Sequence, residues 1–140
     1  MFTGNHITTS LKEELLLGVH NFATDTFKLA LYTNEALLNS TATTYSADNE
    51  VSGAGYTAGG AGLVLQSTTS EATTAFANFE PVNWVSATLT ARGGLIYNST
   101  AVGNPAVAVL DFGSDKVVNN STFTVSFPAA TADTAIIRIR

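Results

Sequence analysis

The residues with acid–base or metal-binding side chains are sparse in this sequence. His6 and His20 are its two histidines, and neither has a metal-ligand or triad partner at an informative spacing. Asp48 and Glu50 lack the spaced oxygen ligands of a calcium loop. We therefore predict no catalytic, cofactor-binding or metal-binding residues, no cofactor, and a protein that is not an enzyme. Strands can bring distant carboxylates together, so a paired acid–base site remains an alternative.

Two glycine-containing motifs match nucleotide-binding signatures only in part. Segment 53–62 contains five glycines, but it lacks the lysine of a phosphate-binding loop and no helix pattern follows it. We predict a flexible or tightly turning loop there. The triplet Asp111-Phe112-Gly113 also occurs in protein kinases, but the other kinase motifs are missing. It is better explained as the end of a strand that runs into a turn.

The composition excludes several classes of partner. Six Lys and Arg residues against eleven Asp and Glu give a formal charge of −5, so no basic stripe is available for nucleic acid or an anionic membrane. The sequence has no cysteine, which excludes disulfides and thiolate metal sites. Charged residues make up 12% of the chain, about half the usual share of about 25%. Such a surface is typical of a protein that packs against neighbours.

Most of the segments that would position a functional site show the sequence patterns of β-strands. Ser10 and Glu13 form a capping box, and Leu11, Leu15, Val19 and Phe22 follow at helical spacing. We therefore predict a helix over 11–20, preceded by an arm over 1–9. Alternating or apolar runs separated by turn residues predict about eight strands, at 27–33, 63–66, 75–79, 84–90 continuing to 95–97, 106–112, 116–118, 122–127 and 135–140.

These patterns predict an all-β fold, a β-sandwich or jelly-roll-like arrangement with one short N-terminal α-helix. Residues 1–140 form a single domain in this interpretation, with the arm at 1–9, the helix at 11–20 and the strands at 27–140. Residues 34–60 have loop composition, and segments 113–115 and 119–120 are predicted turns.

Two aromatic residues are candidates for stacking on a glycan. Alternation along 84–90 places Trp84 opposite the face that carries Val85, Ala87 and Leu89. Trp84 and Tyr97 would bind sugars if they were exposed, but aromatic residues dominate protein cores, so packing in the core is the favoured interpretation.

Several segments resemble a family of small virion proteins of tailed bacteriophages, and the resemblance spans nearly the whole chain. The segments that carry it are 12–22 (KEELLLGVHNF), 27–33 (FKLALYT), 49–60 (NEVSGAGYTAGG), 91–98 (ARGGLIYN), 106–113 (AVAVLDFG) and 135–140 (AIIRIR). The resemblance implies a virion component, with a capsid decoration or cement protein as the specific expectation, and it provides no catalytic residues.

From this resemblance we expect a non-enzymatic protein that binds the outside of a capsid and stabilises contacts between subunits of the phage major capsid protein. We expect it to be made in the host cytoplasm, to be located in the virion and to form a homotrimer, without nucleic acid or membrane as partner. Candidate contacts between subunits are Phe2, Ile7, Leu15, Leu16, Val19 and Phe22. For the helix, the alternative is that it packs within the chain as a lid on the sandwich. The alternatives are a tail, neck or fibre component, and a glycan-binding β-sandwich module on the virion.

Overall fold

A computed structural model describes residues 2–140, which form eight strands and one helix. These are β1 (His6–Ile7), α1 (Thr9–Leu16), β2 (Phe27–Tyr32), β3 (Ala61–Gly62), β4 (Leu65–Glu71), β5 (Thr74–Phe79), β6 (Val82–Asn98), β7 (Ala106–Val125) and β8 (Ile137–Ile139). Sheet I has the strand order β1-β7-β6-β2-β3, sheet II has the order β4-β5-β8, and both are antiparallel. The predicted all-β fold with one short N-terminal helix is confirmed.

The main core contains apolar side chains from both sheets. Leu29 and Ile96 of sheet I and Phe79 and Ile137 of sheet II belong to one buried cluster. The rings of Phe79 and Phe27 lie 5.9 Å apart, centroid to centroid. Removal of this apolar surface from water is the dominant force that holds the two sheets together.

The outer face of sheet I is also buried, because the long connection between β2 and β3 covers it. Tyr32, Leu95 and Val109 form a second buried cluster there with Phe2 and Ala36. From Leu29 to Tyr32, strand β2 is therefore buried on both faces, which explains the uninterrupted hydrophobic residues there. Long loops without strands of their own are uncommon in small domains, and this one forms the second layer of the core.

The helix begins and ends earlier than the sequence predicts. Thr8 is its N-cap, and the Thr8 Oγ1 accepts a hydrogen bond from the Leu11 amide at 3.1 Å. The predicted cap, Ser10, instead donates its hydroxyl to Thr8 Oγ1 and to the carbonyl of Ala42. The helix ends at Leu16, because Gly18 adopts a φ of +74° that stops helical continuation.

Strand β7 is continuous through both segments that were predicted as turns. Its register against β6 shifts between Ala91 and Gly93 and between Ala87 and Leu89. Gly113 and Asn120 have positive φ values of 82° and 48°, yet the chain does not reverse at either residue. The extra residues are accommodated as β-bulges, which place one residue in a left-handed conformation without ending the strand.

The predicted N-terminal arm is part of the fold over its described residues, since residue 1 lies outside them. His6 pairs with Val109 and Ile7 pairs with Ala108, so β1 forms the edge of sheet I. The side chain of Phe2 is buried and occupies the space that a Cβ at Gly93 would need. The arm predicted over 1–9 thus includes an edge strand and a buried aromatic side chain within residues 2–9.

Candidate functional site

An exposed apolar surface lies where α1 ends. The exposed fractions are 89% for Leu16, 71% for Leu17 and 38% for Val19. We call these three residues the leucine surface. Exposed single leucines are common, but neighbouring ones in a chain with so few charged residues make this a candidate contact surface.

The helix that carries the leucine surface is firmly attached to the domain. Leu11 is fully buried in the main core, and Leu15 and Phe22 pack against the same core. Phe22 lies in a stacked geometry on Phe27, with centroids 4.6 Å apart. Leu15 and Phe22 also line a small pocket of about 90 Å³ against the face of sheet II that carries Ile139. The leucine surface is thus presented by a fixed helix.

The segment after the helix is fixed by a polar network around the buried Asn98. The Asn98 Nδ2 lies 2.8 Å from the Asp25 Oδ2 and 3.0 Å from the His20 Nδ1. The other nitrogen of His20, Nε2, lies 2.9 Å from the Glu14 Oε1 on α1. The network therefore connects helix, loop and sheet I through side chains that bond to each other.

The pKa of Asp25 is lowered in this network. The main cause is the hydrogen bond that its carboxylate accepts from the Asn21 amide, followed by the bond from the Asn98 side chain. A hydrogen bond to the charged form favours the charged form. Asp25 acts as an acceptor that closes the loop 21–25 and not as a proton donor at neutral pH.

The six predicted contacts between subunits fall into two groups. Leu16 and Val19 are exposed, as a contact with a neighbouring molecule requires. The other four residues belong to the chain's own packing: Phe2 is buried, and Ile7, Leu15 and Phe22 are half-buried against the main core. Leu17 was not among the predicted contacts, although three leucines in succession cannot all face the core from one helix.

All four tyrosines of the chain lie around Glu50. The hydroxyl of Tyr45 donates to the Glu50 Oε2 at 2.6 Å. The Glu50 Oε1 accepts from the Tyr56 hydroxyl at 2.5 Å and from the Gly59 amide at 2.8 Å. Tyr97 stacks on Tyr45 at 4.6 Å and donates its hydroxyl to the Gly59 carbonyl at 2.6 Å. We call this set, with Tyr32, the tyrosine cluster.

The tyrosine cluster is a structural device and not a reactive one. Burial raises the pKa of Tyr32, Tyr45, Tyr56 and Tyr97, and the negative charge of Glu50 raises these pKa values further. The hydroxyls therefore stay protonated and continue to donate. Both carboxylate oxygens of Glu50 accept hydrogen bonds within the cluster. This arrangement holds the loop 45–60 against sheet I, and sequence reasoning did not find it because its members are far apart in the chain.

The two candidate glycan-facing residues are buried, which corrects their candidacy as sugar-binding residues and agrees with the favoured interpretation of core packing. Trp84 is 5% exposed and Tyr97 is 3% exposed. A β-bulge shifts the register between Trp84 and Ala87, and Ser86 adopts a φ of 48°. Trp84 consequently shares the inner face with Ala87, while Val85 is exposed. The alternation inferred from sequence failed because the bulge adds one residue to the strand.

Neither the clustering of ionisable side chains nor similarity to known proteins assigns a function to this chain. Among residues 2–140, no three His, Asp or Glu side chains come together in a way that would hold a metal ion. No helix within residues 2–140 has the length and apolar character needed to cross a membrane. The chain matches no protein-family model, no curated protein and no solved structure.

Proposed function

We propose that this chain is a non-enzymatic structural protein of a tailed-phage virion, and specifically a capsid decoration protein that binds the outer capsid surface. The observation that carries the proposal is the leucine surface, an exposed apolar surface held on a fixed helix. The low content of charged residues and the sequence resemblance to small virion proteins support it.

In this proposal the protein acts by burying surface. Leu16 and Leu17 contact a neighbouring copy in a homotrimer, and the trimer bridges subunits of the major capsid protein. Apolar burial contributes about 25 cal/mol per Å², so two leucines repeated around a three-fold axis give a substantial part of the association energy. The burial of Trp84 and Tyr97 argues against the glycan-binding alternative, because neither ring face is open to a sugar.

The first experiment tests the self-association. In the variant with Leu16→Ser and Leu17→Ser, we expect sedimentation equilibrium to give monomers where the unchanged protein gives trimers. Leu37→Ser is the matched control, because Leu37 is 81% exposed but lies in the loop that covers sheet I. An unchanged protein that is monomeric at high micromolar concentration contradicts the proposed trimer.

The second experiment tests the location and the role. Cryo-electron microscopy of the phage particle should place the protein on the outside of the head. Particles that lack the protein should release DNA at a lower temperature than complete particles do. Density in the tail, neck or fibre would support the alternative virion location, and equal thermal stability of both particles would contradict the cementing role.

A further inference from the structure

A groove separates the free edges of the two sheets on one side of the molecule. Strand β1 is the edge of sheet I, β8 is the edge of sheet II, and residues of both line the groove. It encloses about 500 Å³. Its lining includes the apolar side chains of Ile7, Val109 and Ile136 and the basic side chains of His6, Arg138 and Arg140.

The two faces of β8 differ in chemistry. Successive side chains of a strand point to opposite faces, so Arg138 and Arg140 line the groove together with Ile136, while Ile137 and Ile139 face the other way. Ile137 is buried, whereas Ile139 remains 54% exposed. Strand β8 therefore presents a cationic face and an apolar face along the same free edge.

Among residues 2–140, no carboxylate forms an ion pair with the two groove arginines. Within residues 2–140, the two side-chain ion pairs are His20–Glu14 and Arg92–Asp111, and neither includes a groove arginine. Arg138 donates to a backbone oxygen, the carbonyl of Asp133. Two of the six Lys and Arg residues of an otherwise acidic chain thus lie together in one groove. This local charge is complementary to carboxylates.

The free edge of β8 provides unpaired backbone groups for binding, in addition to the charge of the two arginines. Strand β8 pairs with β5 through Ile137, Arg138 and Ile139, and its other side has no neighbour in sheet II. An unpaired edge offers backbone donors and acceptors to an added strand. Charged side chains on an edge also deter pairing with chains of like charge. Arginines therefore admit an acidic strand in preference to others.

We propose that this groove binds an extended acidic segment of a partner polypeptide, which adds to β8 as a further strand of sheet II. Carboxylates on one face of that segment bind Arg138 and Arg140, and apolar side chains on its other face pack beside Ile139. Side chains of opposite charge, and apolar side chains, stabilise adjacent strands when they face each other, so both kinds of pair favour this arrangement. The free edge and the two arginines would bind such a segment whether or not the protein is a virion component.

The test uses the full chain and a fluorescent, blocked octapeptide of alternating Glu and Val. We expect fluorescence anisotropy to show saturable binding, at least about tenfold tighter than for the Gln-Val peptide, because charge-assisted hydrogen bonds are roughly twice as strong as neutral ones. The variant with Arg138→Gln and Arg140→Gln should lose this preference. The variant with Lys12→Gln and Lys116→Gln, which removes the same charge from exposed sites elsewhere, should keep it.

Strand addition is tested separately from charge attraction. A Glu-Val peptide that is N-methylated on the amides facing β8 keeps its charge but cannot pair, so it should bind at least about tenfold more weakly. Hydrogen exchange at Ile137–Ile139 should slow when the unmethylated peptide binds. Equal binding of the methylated peptide, equal loss in both double variants, or equally tight binding of an oligothymidylate would overturn the proposal.

Discussion

The hydroxyl of Tyr56 lies 2.5 Å from the Glu50 Oε1, and the same hydroxyl accepts a hydrogen bond from the Leu31 amide at 2.9 Å. One side chain therefore joins strand β2 of sheet I to a carboxylate in the covering loop. The backbone bridge between Tyr32 and Glu50 lies beside it. These contacts explain how a long loop without strands forms a fixed second layer on sheet I.

Replacing Glu50 by Gln should destabilise the protein. A glutamine retains one acceptor oxygen for Tyr56 and Gly59 and places an amino group against the Tyr45 hydroxyl, which must turn to accept from it, so the hydrogen bonds of the cluster lose their charged acceptor. We expect a loss of about 1–3 kcal/mol in the free energy of unfolding, measured by urea denaturation. Glu35→Gln is the control, because that side chain is exposed. Equal stability of the two variants would show that the tyrosine cluster contributes nothing.

The tyrosines should resist ionisation in the folded protein. Burial and the charge of Glu50 raise the pKa of all four hydroxyls above the ordinary value of about 10. The folded state then binds more protons than the unfolded state above that pH. The four protonated tyrosines therefore contribute fully to the free energy of unfolding below the tyrosine pKa of the unfolded state. This contribution is lost as the pH rises towards the higher pKa of the folded state. The absorbance of tyrosinate, followed against pH, should therefore rise together with unfolding; a hydroxyl that titrates near pH 10 in the folded protein contradicts this.

Replacing Trp84 by Ala should be far more damaging than the same change one residue later. Trp84 packs against Phe123 at 6.1 Å and Tyr56 at 6.0 Å, centroid to centroid. We expect a loss of about 3–5 kcal/mol from the cavity and the lost burial. Val85→Ala is the matched control on the same strand and should change stability by about 0.5 kcal/mol or less, because Val85 is 68% exposed. Thermal unfolding measures both, and similar melting temperatures for the two variants would contradict the bulge at Ser86.

The glycines of segment 53–62 should differ sharply in their tolerance of alanine. Gly60 has a φ of +81°, and a Cβ there would lie 1.9 Å from the carbonyl oxygen of Leu29. Gly62 has open space at the same position. We expect Gly60→Ala to cost more than about 2 kcal/mol, because the left-handed conformation costs an L-residue about 1–2 kcal/mol before any clash. Gly62→Ala should be nearly neutral in the same urea titration; equal effects would show that the loop is not held against β2.

The sequence alone determined the class of fold. Period-two patterns, β-branched residues and turn residues are local properties, so they predicted strands, one helix and a loop at 34–60 without knowledge of the contacts. The tightly turning role of the glycine segment was predicted in the same way. The boundaries were less accurate, because Thr8 competes with Ser10 as the cap and because β7 accommodates its turn-like residues as bulges.

The tertiary structure alone decided which side chains meet and which remain exposed. A one-residue bulge at Ser86 reversed the expected orientation of Trp84, and such a bulge depends on the partner strand. The tyrosine cluster joins residues 32 to 97, and the groove joins both ends of the chain. Contacts between positions so far apart depend on how the sheets pack, and no local sequence pattern encodes them. The leucine surface lies between these cases: the sequence shows three adjacent leucines, and the fold decides that Leu16 and Leu17 face outward.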